Sequence, residues 1–92
     1  MEKNKKGIMM LSAVTEALNY KSDNPNCDNE DIMEHISEFA KQKKRQKDKL
    51  LMIASVSKAL SILEISPNSS EKAVINQIIK EIPYIIERVE EE

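Results

Sequence analysis

The sequence predicts an all-α protein, and more specifically a four-helix bundle made of two repeated helix-loop-helix units. The composition is the first reason: the 92 residues are 40% hydrophobic and 33% charged, with one Gly, three Pro and three aromatic residues. Strong helix formers therefore dominate, while residues typical of strands and turns are scarce. The second reason is that the chain resembles itself at an offset of 42 residues, which aligns Met10 with Met52.

This internal repeat matches residues 9–36 with residues 51–78. The identical pairs are Met10 with Met52, Val14 with Val56, Ala17 with Ala59, Leu18 with Leu60, Pro25 with Pro67, Asn26 with Asn68, and Ile36 with Ile78. Apolar residues recur at three- and four-residue steps in both copies, which predicts one buried stripe on each helix. Two units favour a bundle, because solenoids need about three repeats for stability.

We therefore expect residues 1–92 to form a single domain, with one unit at about 5–45 and the other at about 48–90. The predicted helices cover residues 5–21, 29–45, 48–64 and 70–90. Each unit contains a Pro-Asn pair. We expect a turn there, because proline disfavours helical geometry in the residue before it. Polar residues after each turn can accept hydrogen bonds from the amides that open the next helix. The expected caps are Asn26 or Asp28 in the first unit, and Asn68 or Ser69 in the second, where Glu71 completes a capping box with Asn68.

Two stretches leave the helix boundaries open. Residues 28–65 contain no helix breaker, so the second and third helices are either separate or fused into one rod. We expect a break near Gln46–Lys49, where the apolar pattern lapses and Asp48 can act as an N-cap. Pro83 lies inside the last helical pattern, where it is expected to kink or restart the helix.

The bulk charge and the cysteine content limit the class of protein. A net charge of −2 gives no overall attraction to nucleic acid or to anionic lipid. A single cysteine, Cys27, excludes an intramolecular disulfide and fits a reducing compartment. The lysine-rich start followed by an apolar stretch resembles a signal peptide, but its match with the second unit indicates core instead. No apolar run reaches the ~18 residues of a membrane span, so we expect a cytoplasmic protein without membrane association.

Catalysis requires reactive groups that converge, and this chain has one His and one Cys. His35 and Cys27 are eight residues apart, about two turns on one helix, which is too far for a catalytic dyad. Their counterparts in the second unit, Gln77 and Ser69, are unreactive. We therefore expect structural roles for both residues, a protein that is not an enzyme, and no cofactor.

The acidic stretch from Asp23 to Glu34 resembles a calcium-binding loop at three positions. Asp23, Asp31 and Glu34 fall at the first, ninth and twelfth places of such a loop. Pro25 and Cys27 stand where oxygen ligands belong, so we expect no metal site. The acidic residues instead suit the positive start of a helix.

A basic run at the junction of the two units is the strongest local charge feature, and it predicts a nucleic-acid contact as one alternative function. Together with Lys3, Lys5 and Lys6 at the start of the chain, it could contact phosphates. The other interpretation is a solvated helix end. The run consists of Lys41, Lys43, Lys44, Arg45, Lys47 and Lys49.

The last helix has a wider apolar face than a small bundle needs. This surplus favours our leading hypothesis, a non-enzymatic protein-interaction or oligomerisation module that forms a homodimer or binds a protein partner. The alternative is that the face is simply core. The predicted interface residues are Ile75, Ile78, Ile79, Ile82, Ile85, Ile86 and Val89.

The segment from Ala59 to Asn68, with Glu16-Ala-Leu-Asn19 upstream, resembles the turn regions of a family of small uncharacterised archaeal all-helical proteins. Members of that family look like two helical hairpins in tandem. The resemblance covers about a third of the chain, and residues 27–31 replace an arginine-rich segment of the family. It implies the fold and no activity.

Overall fold

Four α-helices make up the part of the chain that the computed structural model describes, namely the backbone of residues 2–91 and the side chains of residues 5–90. The helices are α1 (Glu2–Asp23), α2 (Asn29–Ala40), α3 (Gln46–Ile65) and α4 (Glu71–Glu91). Residues 2–91 contain no strand. The prediction of an all-α protein is therefore confirmed.

The two odd-numbered helices form the centre of the bundle. α1 and α3 pack against each other, and each also contacts α2 and α4, whereas no Cα atom of α2 lies within 8 Å of one in α4. Asn29 at the start of α2 donates a 2.8 Å hydrogen bond to Glu64 near the end of α3. Lys6 near the start of α1 pairs with Glu90 near the end of α4. Successive helices thus run antiparallel, and α1 is parallel to α3.

This arrangement is a compact four-helix bundle, as predicted. Its Cα radius of gyration is 12.4 Å, against about 12 Å expected for a compact domain of this length. None of the described helices is both long and apolar enough to cross a membrane.

Small buried residues allow α1 and α3 to approach closely. Ala13 and Ala17 on α1 are fully or almost fully buried, as are Ser55 and Ala59 on α3. The Ser55 hydroxyl lies 3.4 Å from the carbonyl oxygen of Met10, so a short side chain on one helix reaches the backbone of the other. The same hydroxyl has acceptors in its own helix, the Leu51 and Met52 carbonyls at 3.0 and 2.9 Å. The buried polar atom is therefore satisfied.

Two apolar clusters lie around this contact. The larger one runs through the middle of the bundle and receives Ile32 and Ile36 from α2 and Val74 and Ile78 from α4. The smaller one lies where α1 and α3 begin and α4 ends, and it consists of the buried residues Met10, Leu51 and Ile86 with half-buried neighbours. It holds three helix ends together at one end of the bundle.

The helix caps agree with the prediction at one turn and differ at the other. Asp28 caps α2 with a capping box, because its carboxylate accepts from the Asp31 amide at 2.8 Å and the Asp31 carboxylate accepts from the Asp28 amide at 3.2 Å. In the second unit the cap is Ser70, whose hydroxyl accepts from the Ala73 amide at 3.1 Å. The prediction of Asn68 or Ser69 was wrong. A turn closed by the Ser69 amide and the Ser66 carbonyl uses those residues before the helix begins.

The second and third helices are separate, as expected, but the break lies earlier than predicted. It covers residues 41–45, because α2 ends at the buried Ala40 and the residues that follow it are exposed. A helix stabilised mainly by burial of one face has nothing to hold it there. The N-cap of α3 is Arg45, which makes no side-chain capping bond, and Asp48 lies in the first turn. The prediction of Asp48 as N-cap was wrong.

Pro83 does not restart the last helix, since α4 is continuous from Glu71 to Glu91. Proline removes the hydrogen bond that would reach the Ile79 carbonyl. Both Ile79 and Pro83 are exposed, so water can hydrogen-bond to that carbonyl. The prediction of a restart was wrong for this reason, and a kink stays a prediction.

Residues that the 42-residue offset matches are buried in both halves of the bundle. The offset aligns α1 with α3, and α2 with the first part of α4. The internal repeat itself stays a prediction. The pairs buried on both sides are Met10 with Met52, Ala13 with Ser55, Val14 with Val56, Ala17 with Ala59, Ile32 with Val74, and Ile36 with Ile78.

Enlarging a small residue between α1 and α3 is expected to destabilise the fold. Ala59→Leu should lower the free energy of unfolding by about 1–3 kcal/mol, because the closely packed helices must separate to admit the added atoms. Ala73→Leu on the exposed face of α4 should change it by less than about 0.5 kcal/mol. Urea denaturation followed by circular dichroism measures both, and equal effects of the two variants would contradict close packing at Ala59.

Candidate functional site

The basic run lies at the end of the bundle where α1 and α3 begin. Lys41, Lys43, Lys44 and Arg45 occupy the exposed α2–α3 loop and its flanks, and Lys41 forms a 2.8 Å ion pair with Glu38. Lys47 and Lys49 lie in the first turn of α3, where Lys47 is exposed and Lys49 is half-buried. The run is therefore mostly solvent-accessible.

The amino-terminal lysines reach the same end. Lys5, Lys6 and Met9 on α1 line an open depression of about 340 Å³ together with Lys43, Arg45 and Asp48. We call this depression and the exposed Lys44 and Lys47 beside it the basic end. The hypothesis that the two lysine-rich segments act together thus has a geometric basis for Lys5 and Lys6. Lys3 belongs to α1, but its side chain lies outside the described residues.

An acidic residue stands beside this depression. Lys6 pairs through Nζ with the Glu90 carboxylate, and the side chain of Lys6 is only 18% exposed. Nζ of Lys47 also donates to the backbone carbonyl of Glu90, at 3.4 Å. The last turn of α4 therefore lies between the first turns of α1 and α3.

The positions of Lys6, Lys47 and Glu90 are determined by the small apolar cluster next to them. Residues four apart lie above one another on a helix. Lys6, Lys47 and Glu90 are each four residues from a member of the small cluster, namely Met10, Leu51 and Ile86 in that order. The packing that holds the three helix ends thus positions the three polar groups.

The opposite end of the bundle carries the opposite charge. It combines the ends of α1 and α3 with the starts of α2 and α4. Among the described side chains, positive charge predominates at one end and negative charge at the other, although the exposed Glu38, Glu87 and Glu90 lie near the basic end. The exposed acidic residues at that end, which outnumber the exposed Lys21 and Lys72 there, are Asp23, Asp28, Glu30, Asp31, Glu64 and Glu71.

The predicted apolar interface is mostly part of the core. Ile78 is fully buried and Ile86 is 4% exposed. Ile75, Ile82, Ile85 and Val89 are half-buried and pack against the two apolar clusters. Ile79 is 49% exposed and is the residue of the predicted set that is most open to solvent.

His35 has a partner that sequence reasoning missed. Its Nε2 hydrogen-bonds Oε2 of Glu16 at 2.8 Å, and its ring stacks on Tyr20 with centroids 4.2 Å apart. Glu16 and Tyr20 lie one turn apart on α1, so together they hold one side of α2. The four-residue spacing of Glu16 and Tyr20 was a weak signal that both lie on one face of α1. It could not show that His35 would contact that face.

The remaining candidates occupy structural positions. Cys27 is half-buried and packs against the larger apolar cluster. Asp28 and Asp31, in the acidic stretch compared with a calcium loop, hydrogen-bond each other's backbone amides. Within residues 5–90, no group of three or more His, Cys, Asp and Glu side chains is arranged to hold a metal ion.

No protein-family model, no curated protein and no solved structure matches the chain. The resemblance to small archaeal helical proteins stays a prediction.

Removing the His35 ring is expected to loosen the contact between α1 and α2. His35→Ala should lower the free energy of unfolding by about 1–2 kcal/mol, through loss of the stacking contact and the hydrogen bond. Gln77→Ala, at the equivalent exposed position in α4, should change it by less than about 0.5 kcal/mol. Thermal unfolding followed by circular dichroism would compare them, and a neutral His35→Ala would mean that the Glu16 and Tyr20 contacts contribute nothing.

Proposed function

We propose that the protein is a cytoplasmic binding protein rather than an enzyme, and that its basic end contacts the phosphates of nucleic acid. The observation that carries this proposal is the depression shared by Lys5, Lys6, Lys43 and Arg45. These cations come from two segments far apart in the sequence. Convergence of positive charge from separate elements is the electrostatic footprint of phosphate binding.

The lining of the depression favours contact with the phosphate backbone of a nucleic acid over recognition of its bases. It contains four cations, one methionine and the carboxylate of Asp48, and no aromatic side chain. Stacking of unpaired bases normally uses aromatic rings, whereas lysine and arginine can bind phosphates of any sequence. The expected partner is therefore a phosphate backbone, bound without sequence preference.

Charge segregation supports the same proposal despite the negative net charge. A polyanion is attracted to the basic end and repelled by the acidic residues at the other end. The protein would therefore approach a nucleic acid in one orientation. This makes contact through the side of the bundle less favourable than contact through its end.

Binding should be weak, strongly salt-dependent and specific to this end. A labelled duplex of about 20 base pairs is expected to bind with a Kd of about 1–100 µM, weakening steeply between about 50 and 200 mM salt. The variant Lys5→Gln, Lys43→Gln, Arg45→Gln should bind more weakly and reduce the slope of log K against log salt by about 2–3. Fluorescence anisotropy measures both quantities.

The matched control removes the same number of charges elsewhere, in the variant Lys21→Gln, Lys72→Gln, Lys80→Gln. Its affinity for the duplex should be only slightly lower than that of the parent. Equal weakening in both variants would attribute binding to overall charge and contradict the proposal. Binding to vesicles of anionic lipid in preference to the duplex or to an RNA strand would assign the basic end to a membrane surface instead.

A second candidate function is self-association through α4, which the exposure of Ile79 favours. Ile79 lies four residues after Ile75 and three before Ile82, so it continues the face that those half-buried residues share. Most of the predicted interface is already covered within the monomer. The remaining area is small for a stable dimer, which places this candidate second.

If self-association occurs, Ile79→Asp should yield a monomer without unfolding the protein, because Ile79 is exposed in the bundle. Gln77→Asp provides a control at another exposed position on α4. Light scattering over a dilution series gives the mass, and a thermal melt gives the stability. A parent protein that is monomeric at every concentration would rule out this candidate.

A further inference from the structure

We propose that α3 carries a self-association surface, through which two copies of the chain pack with their α3 helices antiparallel. This inference does not rest on nucleic-acid binding, and it concerns a different face from the one around Ile79. α3 contacts α1, α2 and α4, and an uncharged stripe runs along its remaining side at three- and four-residue steps. We call it the α3 stripe, and it consists of Leu50, Ala54, Ser57, Ser61 and Ile65.

The α3 stripe has a large apolar residue at each end. Leu50 is 42% exposed and Ile65 is 84% exposed. They are 15 residues apart, which is about 22 Å along a helix. Burial of exposed apolar side chains is favourable, so the fitting partner presents apolar groups at the same separation. The α3 stripe of a second copy does so.

The middle of the α3 stripe is small enough for another helix to approach closely. Ala54, Ser57 and Ser61 have short side chains, as do the residues at the contact of α3 with α1. The Ser61 hydroxyl donates to the Ser57 carbonyl at 3.1 Å, so this hydrogen bond persists when the surface is covered. A groove of about 430 Å³ beside the stripe, lined also by Ile85 and Val89, gives room for side chains of the second copy.

Charge decides the relative direction of the two copies. Parallel α3 helices would place one basic end against the other. Antiparallel helices place the start of each α3, with Arg45 and Lys47, beside the end of the other, with Glu64 and the acidic start of α2. Lys58, near the middle of the stripe, pairs at 3.8 Å with Glu81 of its own copy. Opposite charges at both ends therefore favour the antiparallel arrangement.

Twofold symmetry then defines the register of the contact. When Leu50 of one copy lies opposite Ile65 of the second, Ala54 lies opposite Ser61, and the two Ser57 residues are neighbours at the symmetry axis. A single stripe is narrower than the ~800 Å² per partner of a standard interface, so association should be weak, with a Kd of about 0.1–1 mM. It should weaken further with salt, because the charged ends are exposed.

Disulfide cross-linking at about 0.2 mM protein, in a Cys27→Ser background, tests the register. Ser57→Cys should form covalent dimers by itself, because the two thiols meet at the axis. A mixture of Ala54→Cys and Ser61→Cys should give mixed dimers in excess of the dimers that either variant forms alone. The control is Ser12→Cys on the exposed side of α1, and it should cross-link at least about tenfold less than Ser57→Cys.

Sedimentation velocity from about 10 µM to 1 mM measures the association without cross-linking. The mass of the parent should rise with concentration. Ser57→Arg should weaken the association at least about tenfold by placing two like charges at the axis. Ser12→Arg carries the same charge elsewhere and should associate like the parent. Circular dichroism checks that both variants fold, which is expected because both serines are exposed.

Several results would overturn the proposal. A parent that is monomeric throughout, or equal cross-linking of Ser57→Cys and Ser12→Cys, would show that the α3 stripe has no partner in a second copy. Efficient covalent dimers of Leu50→Cys alone would indicate parallel helices. Association that Ile79→Asp abolishes and Ser57→Arg leaves intact would assign the contact to α4. Duplex binding by the basic end is measured separately, and its presence or absence decides none of these outcomes.

Discussion

The close approach of α1 and α3 is the constraint on which the rest of the bundle depends. Alanines and one serine at the contact leave room for two parallel helices to pack with little side-chain volume between them. The larger apolar residues of α2 and α4 then pack against both members of this pair. Bulky residues at the contact would separate the pair and remove the surface that both outer helices share. The small residues therefore determine the position of all four helices.

The same constraint explains why side-chain charge, and not helix polarity, distinguishes the two ends. In this arrangement each end of the bundle contains two helix amino termini and two carboxyl termini. The partial charges of the helix ends have opposite signs and largely offset one another. The lysines and arginine at one end and the carboxylates at the other therefore decide the sign of each surface.

Much of the fold was predictable because the apolar residues recur at helical spacing and two of the three turns contain proline. The existence and order of four helices follow from those local signals. The α2–α3 break was placed too late because residues 41–45 are good helix formers, and their exposure depends on tertiary structure. Similarly, the choice of Ser70 over its polar neighbours depended on the turn that closes at Ser69.

The candidate site was less predictable, because its parts come from different helices. The lysines of α1 and the α2–α3 loop were both visible as charged segments, but their convergence requires the parallel order of α1 and α3. The Glu90 contacts and the His35 contacts with Glu16 and Tyr20 join residues far apart in the chain. No spacing rule within one helix reveals such pairs.

Both the start of α1 and the end of α4 lie at the basic end, and this matters for how the protein is handled. A purification tag or fluorescent protein attached directly before α1 or directly after α4 would emerge beside the depression. A polyhistidine tag would add positive charge there, and an acidic fusion partner would add competing carboxylates. The exposed turn at residues 66–68 lies at the other end of α3 and α4. A cysteine introduced in that turn is a better place for a label, provided that Cys27 is replaced first.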